Sequence, residues 1–310
     1  MGRGDLSDAE WERLRPFLPV SNRRCGRWRD HRQVIDGILH RVRTGVQWRD
    51  LPERFGPWKT VYERHRLWSA DGTWERLLQQ VQAAADAAGE VDWDVSVDST
   101  IVRAHQHAAG ARTDPPPAPA SKGAERPEHQ GETAWRSLHG RLVEVGAGGE
   151  GLGRSRGGFT TKLHLSADGR CRPLSVIVTP GQRADCTQFM PVPEKIRVPK
   201  AGPGRPRKKP ESVAADKAYS NGPCREYLRR RGIRHTIPEK TDSRAARLRK
   251  GSRGGRPPSF DEERYKKRNT VERAINRLKQ HRAVATRYDK RRYVYLGTVT
   301  AAAFTIWLRT

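Results

Sequence analysis

Long apolar runs, acidic residues and paired cysteines are all scarce in this sequence. Only 35% of its 310 residues are hydrophobic, and the longest apolar run, residues 293–308, is shorter than the roughly 18 to 20 residues that a membrane span needs. We therefore expect no membrane association and a buried terminal helix at this run. The first residues contain no apolar signal region, so we expect a cytoplasmic protein, associated with the nucleoid. The four cysteines lack a Cys-x-x-Cys pair and matched histidine spacing, which indicates neither a disulfide framework nor a structural zinc site.

Basic residues greatly outnumber the acidic ones. The chain has 61 Lys and Arg against 35 Asp and Glu, a formal net charge of +26, and an isoelectric point near 10.8. Residues 225–292 alone carry 24 basic and 8 acidic residues, a net charge of +16. Such a surplus predicts a nucleic-acid partner ahead of a membrane or a small acidic substrate. Composition alone also allows an Arg-rich RNA-binding protein with extensive disorder.

Helical periodicity dominates residues 1–89, which we predict to be an all-α domain. The apolar spacing predicts helices over residues 8–18, 58–68 and 73–88, and another whose apolar stripe begins at Val34 and that ends at Thr44-Gly45. A short helix, a Gly-containing turn and a following helix form the outline of a helix-turn-helix, whose second helix enters a major groove. That helix carries the candidate DNA-binding residues Lys59, Arg64 and Arg66, together with Tyr62 and His65. A purely structural or dimerising helical bundle is the alternative.

Strand alternation replaces helical periodicity at Gly89, and residues 90–310 are predicted to form an α/β domain. Strands are expected over residues 91–97, 159–165, 173–178, 212–215 and 233–237. Helices are expected over residues 223–231 and 261–281, with a loop at 241–259. Residues 108–157 are rich in Pro, Gly, Ala and Ser, which predicts a long disordered insertion. The order of elements indicates a mixed sheet flanked by helices.

Three carboxylates stand out in this second domain. Asp98 and Asp216 each end an apolar strand, where a carboxylate can project from a rigid sheet edge into a common cleft. The third, Glu272, shares the last long helix with Tyr265, Arg268 and Lys279, at offsets of 0, 3, 7 and 14 that place all four on one face. In the alternative interpretation, Glu272 only neutralises Arg268 on an exposed basic helix.

Two aspartates and a glutamate brought together repel one another unless a cation neutralises them. Hard oxygen ligands select Mg²⁺, and Mn²⁺ is expected to substitute. Two such ions about 3.5 to 4 Å apart can activate a water or a 3′-hydroxyl and stabilise the leaving oxygen of an in-line phosphodiester displacement. We therefore predict Asp98, Asp216 and Glu272 as metal ligands and catalytic residues.

Three further motifs accompany the quartet on the last helix: VDSTIVRAHQH at 97–107, GRSRGG at 153–158 leading into Thr161-Lys162, and ADKAY at 215–219. Together they resemble bacterial DDE transposases of insertion-sequence family five, within the larger four/five superfamily. The segment from Leu6 to Trp58 likewise resembles the N-terminal DNA-binding region of that family. The similarity spans nearly the whole chain.

The resemblance implies a ribonuclease H-like catalytic domain, with Asp98 on the first strand, Asp216 after the fourth and Glu272 on a following helix. It also implies that Tyr265, Arg268 and Lys279 position the phosphates of a DNA end. No large β-domain lies between Asp216 and Glu272, unlike in some relatives of the superfamily.

Four further residues adjoin the first two acids in sequence. Lys217 and Tyr219 beside Asp216 are candidates for contact with the DNA backbone. His105 and His107 follow Asp98 closely; they could approach the metals or a phosphate, or be ordinary polar residues that leave a strand.

The sequence thus predicts a transposase that acts on double-stranded DNA, both terminal inverted repeats and target DNA. Metal-dependent cleavage at the repeats would free a 3′-hydroxyl that is joined to target DNA, with no covalent protein intermediate. Synapsis of two ends implies a homodimer or a higher oligomer. The alternative is a catalytically inactive copy that binds DNA as a repressor or a bridge.

Overall fold

The structure is a computed structural model that describes residues 2, 4–19, 29–112, 118, 134–136, 142–144 and 149–310. Its helices are α1 (Asp8–Leu14), α2 (His31–Thr44), α3 (Trp58–Ala70), α4 (Thr73–Ala87), α5 (Gln106–Ala109), α6 (Pro191–Glu194), α7 (Gly222–Arg230), α8 (Thr241–Arg249), α9 (Glu262–Lys266), α10 (Asn269–Lys279), α11 (Arg282–Ala285) and α12 (Arg292–Leu308). Its strands are β1 (Asp94–Ala104), β2 (Ala134–Arg136), β3 (Leu142–Glu144), β4 (Gly153–Ser155), β5 (Gly158–Ala167), β6 (Pro173–Pro180), β7 (Ser212–Ala215), β8 (Arg234–Thr236) and β9 (Thr286–Arg287).

Local sequence signals set the ends of the first helices. Ser7 caps α1 by accepting from the Glu10 N–H, and the Glu10 carboxylate accepts from the Ser7 N–H, which completes a capping box. Gly45 ends α2 in the left-handed conformation, at a φ of 71°, where a glycine carries no steric penalty. The N-terminal part of the chain is therefore helical, as predicted.

Strand β1 lies at the centre of a seven-stranded mixed sheet. It pairs antiparallel with β5 on one side and parallel with β7 and β9 on the other. β5 continues outward to β4 and β6, and β7 pairs in parallel with β8. Helices flank this sheet, so the predicted mixed α/β architecture is confirmed. The predicted strand over 212–215 coincides with β7.

Helix α12 joins the N-terminal helices to the sheet. It packs against α2, α3 and α4, and also against β6, so nearly all of its side chains are buried. Gly297 allows close approach to α3, since a Cβ built there would lie 1.9 Å from the Ser69 Oγ. The expectation of a buried terminal helix is confirmed. None of the helices in the described ranges is long and apolar enough to cross a membrane.

Residues 241–281 differ from their prediction. The expected loop at 241–259 contains helix α8 and a short 3₁₀ turn at Gly251–Gly254. The expected continuous helix over 261–281 is interrupted at residues 267–268 and becomes α9 and α10. Thr270 and Val271 donate to carbonyls three residues earlier, so the chain makes tight i→i+3 bonds at the break.

Most of the predicted insertion at 108–157 lies outside the described residues. Within its last part, β4 pairs with β5, and Glu150 is buried. β2 and β3 pair with each other.

Candidate active site

Asp98 and Asp216 are neighbours across the sheet. Val97 on β1 is in parallel register with Ala215 on β7, and each of these two residues is followed by an aspartate, Asp98 or Asp216. Adjacent strands lie about 4.8 Å apart, and paired residues project to the same face. The prediction that Asp98 ends its strand is wrong: β1 continues through Ala104.

Glu272 lies on α10, which packs across β1 and β5. Thr270 Oγ1 donates to Ser96 Oγ at 3.2 Å and so fixes the first turn of the helix on β1. Buried Val271, Ala274, Ile275 and Leu278 hold the inner face of α10 against the sheet. Glu272 stands on the same first turn, with its side chain 51% exposed.

Arg268 links two of the three acids. Its guanidinium donates to Asp98 Oδ2 at 2.9 Å and to Glu272 Oε1 at 2.7 Å. The arginine side chain is 15% exposed and that of Asp98 is 22% exposed, so little water screens this pair. The alternative in which Glu272 only neutralises Arg268 does not describe this contact fully, because Arg268 also binds Asp98.

Burial and crowding dominate the electrostatics of Asp98. Burial raises the pKa of its carboxyl, and the nearby charge of Asp216 raises it further. The Ser99 N–H, 2.8 Å from Asp98 Oδ1, and the Arg268 guanidinium oppose this rise. Although burial lowers the pKa of Arg268, its pairing with Asp98 raises it overall. The cluster therefore favours a cation between its carboxylates.

The donor atoms fit a hard divalent ion, but Arg268 stands among them. In the described part of the chain, no three His, Cys, Asp or Glu side chains converge closely enough to share one ion. Carboxylate oxygens from β1, the β7 terminus and α10 are the ligand type that Mg²⁺ and Mn²⁺ prefer. The Arg268 guanidinium lies between Asp98 and Glu272, so an ion held by all three acids requires Arg268 to leave this position and the acids to come closer together.

The other members of the quartet, Tyr265, Arg268 and Lys279, occupy different places. The Tyr265 hydroxyl lies 3.5 Å from Asp216 Oδ1, and its ring lies 5.9 Å from the Arg268 guanidinium carbon. Lys279 lies about 10 Å beyond Glu272 along α10, and its Nζ donates to the Ile101 carbonyl at 3.2 Å. Tyr265 and Arg268 therefore join the acids, and Lys279 lies further along β1.

Lys217 and Tyr219, the two candidates that follow Asp216, differ in exposure. Lys217 is exposed, and its backbone N–H donates to Asp216 Oδ1 at 2.6 Å. Tyr219 is 1% exposed and its ring packs at a tilt against Phe189, so it cannot contact DNA as the sequence suggested. Burial, with the nearby Asp98, raises the pKa of Tyr219.

A fourth carboxylate, Asp185, adjoins the site and was missed from the sequence. Its Oδ1 accepts hydrogen bonds from Ser99 Oγ at 2.7 Å and from Lys162 Nζ at 3.0 Å. Burial raises the pKa of Asp185, but these two bonds outweigh burial and hold the pKa below its usual value. We name Ser99, Lys162 and Asp185 the Asp185 cluster; it fixes the residue next to Asp98. Asp185 belongs to none of the motifs used above.

His105 and His107 lie away from the acids. Their rings stack at 4.7 Å, and Tyr288 lies 5.0 Å from His105. Seven residues of extended chain separate Asp98 from His105, roughly 20 Å. They therefore do not join the acids.

The predicted DNA-binding residues of α3 lie at its surface to different degrees. Lys59 is exposed, Arg64 is half-buried with a guanidinium nitrogen 3.1 Å from His31 Nδ1, and Arg66 binds Glu63. His65 instead points inward and is fully buried. Its Nδ1 accepts from Trp74 Nε1 at 3.1 Å, and its Nε2 lies 3.1 Å from Thr298 Oγ1 on α12.

Two family models match the chain. Residues 6–78 match "Putative transposase of IS4/5 family", and residues 90–306 match "Transposase DDE domain". The second match covers well over half of the chain and includes all three acids. No solved structure matches the chain.

Three curated relatives are similar to parts of the chain. An uncharacterised protein, y4sN, of Sinorhizobium fredii is 42% identical over 108 residues, 34% of this chain and 82% of the relative. An uncharacterised 16.2 kDa protein of insertion element IS402 from Burkholderia cepacia is 35% identical over 112 residues, 34% of this chain and 76% of the relative. The "Putative transposase for insertion sequence element IS6501" of Brucella ovis is 29% identical over 151 residues, 49% of this chain and 100% of the relative.

Proposed function

Because the chain belongs to the DDE transposases of the insertion-sequence IS4/5 family, we propose that it cuts its element's terminal inverted repeats and joins the freed ends to target DNA. Hydrolysis of one phosphodiester frees a 3′-hydroxyl, and that hydroxyl then displaces a 3′-oxygen in the target strand. The observation that carries this proposal is the parallel register of β1 and β7, which sets Asp98 beside Asp216 under the helix that bears Glu272.

The three acids have a defined task in this proposal. Asp98, Asp216 and Glu272 would hold Mg²⁺, with Mn²⁺ as a substitute. The bound ion would supply activation of the attacking oxygen and neutralisation of charge during the in-line displacement. Released from the acids, the Arg268 guanidinium is placed to bind a DNA phosphate, and the Tyr265 hydroxyl and exposed Lys217 flank the same cleft.

The architecture proposed for this activity has two parts. The strand order, with β5 antiparallel and β7 parallel to β1, supports a ribonuclease H-like domain over residues 90–310. For residues 1–89 we propose a helix-turn-helix that recognises the terminal repeats through Lys59, Arg64 and Arg66. Lys279 would contact phosphates further from the cut, and pairing of two ends would require a homodimer or a higher oligomer.

Removal of any one acid tests the proposal. Purified protein is incubated with labelled DNA from both flanks of its gene, with Mg²⁺, Mn²⁺ or EDTA. We expect cuts at defined ends with either metal, and loss of these cuts by at least about a thousandfold in Asp98→Ala, Asp216→Ala and Glu272→Ala because each removes a charge that holds the ion. End binding, measured by fluorescence anisotropy, should stay within about twofold of wild type.

Glu226→Ala is the matched control, because it removes an exposed carboxylate from α7 that is none of the three acids Asp98, Asp216 and Glu272. It should cut like wild type. Retained cutting in any one of the three acid variants would remove that residue from the site. Binding to intact inverted repeats without cutting, with both metals, would favour the inactive DNA-binding copy.

A further inference from the structure

Helix α8 contributes no buried residue to the core and none of the three acids. None of its nine residues is buried, and Leu248 is 62% exposed. A short helix that buries no face gains little from packing and needs support from outside itself. We name residues 239–260, which contain α8 and the turn after it, the basic arm.

The root of the basic arm is fixed to the body. Thr236 Oγ1 accepts from the Asp261 N–H at 3.1 Å and lies 3.2 Å from the Asp261 carbonyl, so the two ends of the arm are held together. Within the arm, Arg247 binds Glu239 through two bonds of 2.9 and 3.1 Å, which ties α8 to its own root. The arm is therefore held at its base and exposed beyond it.

This root lies at the same end of the strands as Asp216. β8 runs parallel to β7, so the carboxyl end of β8 at Thr236 and that of β7, which Asp216 follows, lie on the same side of the sheet. At the other end of the arm, the Phe260 ring lies 5.3 Å from that of Tyr265, whose hydroxyl contacts Asp216. The arm thus leaves and rejoins the body beside the proposed cutting site.

The charge of the basic arm identifies the kind of partner that it fits. Its 22 residues include seven Lys and Arg and two Asp and Glu, a net charge of +5. Arg247 is paired with Glu239, but Arg244, Arg249 and Arg253 make no ion pair with the described part of the chain. A second copy of this chain, at a net charge of +26, would repel the arm, whereas a phosphate backbone would neutralise it.

We propose that the basic arm binds the phosphate backbone of the DNA duplex next to the phosphodiester that is cut. This inference rests on the proposed function, because it takes the acids as the place of cutting. Helix α8 is about 13 Å long, which corresponds to about four base pairs at 3.4 Å each. The arm therefore contacts phosphates within about four base pairs of the cut.

The test compares two triple variants that lose equal charge. Arg244→Gln/Arg249→Gln/Arg253→Gln neutralises the arm. Lys208→Gln/Lys209→Gln/Arg234→Gln is the matched control. These residues line an open basic cavity at the amino ends of β7 and β8, and Asp216 follows the carboxyl end of β7. Both triples alter exposed side chains, so both should unfold at the urea concentration of wild type.

The first readout is the salt dependence of end binding. The Kd of a labelled end duplex is measured by anisotropy from 50 to 200 mM KCl. We expect the slope of log Kd against log salt to fall by about 2 to 3 in the arm triple, at about 0.9 for each lost phosphate contact, and by less than 1 in the control. Equal slopes in the two triples would overturn the proposal.

The second readout locates the contact on the DNA. Uncharged methylphosphonates replace phosphates either within four base pairs of the cut or at least ten base pairs away. Neutralisation near the cut should weaken wild type at least about tenfold and barely affect the arm triple, which has already lost the contact. The same loss in both proteins would overturn the placement.

Failure of the arm is separable from failure of the proposed function. If wild type cuts with Mg²⁺ and Asp98→Ala does not, but the two triples behave alike, only the arm proposal falls. If no protein cuts and the arm triple still loses its salt slope, the catalytic proposal falls together with the placement of the arm at a cut, whereas the binding of the arm to DNA phosphates stands. A dimer that Leu248→Ser dissociates, with the slope of the arm triple unchanged, would assign the arm to a second copy instead.

Discussion

At the scale of single residues, Asp185 separates a positioning role from a direct one. It binds Ser99 and Lys162, and Ser99 in turn holds Asp98 through its backbone N–H. Asp98 therefore depends on the Asp185 cluster for its orientation. Partners of this kind typically contribute 10- to 100-fold to metal affinity or activity.

Asp185→Asn should slow cutting about 10- to 100-fold, because an amide lacks the charge that holds Lys162 while Ser99 must reorient. We expect the Mg²⁺ concentration for half-maximal rate to rise and the Kd for the DNA end to stay unchanged; both are measured on one end duplex. Thr187→Ala, two residues away on the same exposed turn, is the control. An unchanged Mg²⁺ dependence in Asp185→Asn would refute the positioning role.

The sequence predicts the three acids but not what surrounds them. Asp98, Asp216 and Glu272 stand next to strong strand and helix patterns, so their element and approximate position follow from periodicity. Asp185 lies in a 3₁₀ turn, where no periodic signal marks its direction. Its contacts join residues 23 and 86 positions apart, which only the folded sheet brings together.

At the scale of elements, a fully buried histidine connects α3, α4 and α12. Burial lowers the pKa of His65 to about 4. The Trp74 N–H donates to its Nδ1, so a proton on that nitrogen would oppose another N–H. The fold therefore requires the neutral ring.

This requirement makes the fold sensitive to acid. Since the folded pKa lies below the unfolded value of 6.5, the unfolded chain binds the proton first, and stability is lost as the pH falls from about 6.5 towards 4. The contribution of His65 to the free energy of unfolding should fall by about 2 kcal/mol between pH 7 and pH 5. Urea titrations at both pH values measure this change.

His65→Gln should be less stable than wild type at pH 7 yet lose about 2 kcal/mol less on acidification. The exposed His107→Gln is the control and should follow wild type at both pH values. An acid dependence in His65→Gln equal to that of wild type would show that another group is responsible.

Strongly patterned elements were predictable, and weakly patterned ones were not. The alternating strands and the apolar terminal helix follow from their periodicity. Helix α8 did not, because a basic segment bounded by Gly and Pro carries no apolar stripe. The break before α10 was also missed. Arg268 at this break contacts Asp98, 170 residues away in sequence, and helical propensity contains no information on such a tertiary contact.

At the scale of the whole molecule, α12 completes the core of the N-terminal helices. Phe304 packs 6.2 Å from Trp74, and Thr298 contacts His65. Residues 1–89 therefore lack part of their own core when they are separated from the rest of the chain.

A fragment of residues 1–89 should accordingly show no cooperative urea transition, because its apolar faces remain open to water. Joining residues 292–308 to it through a flexible Gly/Ser linker should restore a cooperative transition. Tryptophan fluorescence and circular dichroism measure both. Cooperative unfolding of the fragment alone would contradict this dependence on α12.

The position of α12 also affects how long the chain remains incomplete during synthesis. The ribosome finishes α4 at Ala87 and starts α12 at Arg292, about 200 residues later. At 5 to 20 residues per second this interval lasts about 10 to 40 seconds. Throughout it, the newly made α2, α3 and α4 have no partner for the face that α12 will cover. Nascent chains are thus exposed to chaperones and proteases for much of their translation, and those that stop early never close this core.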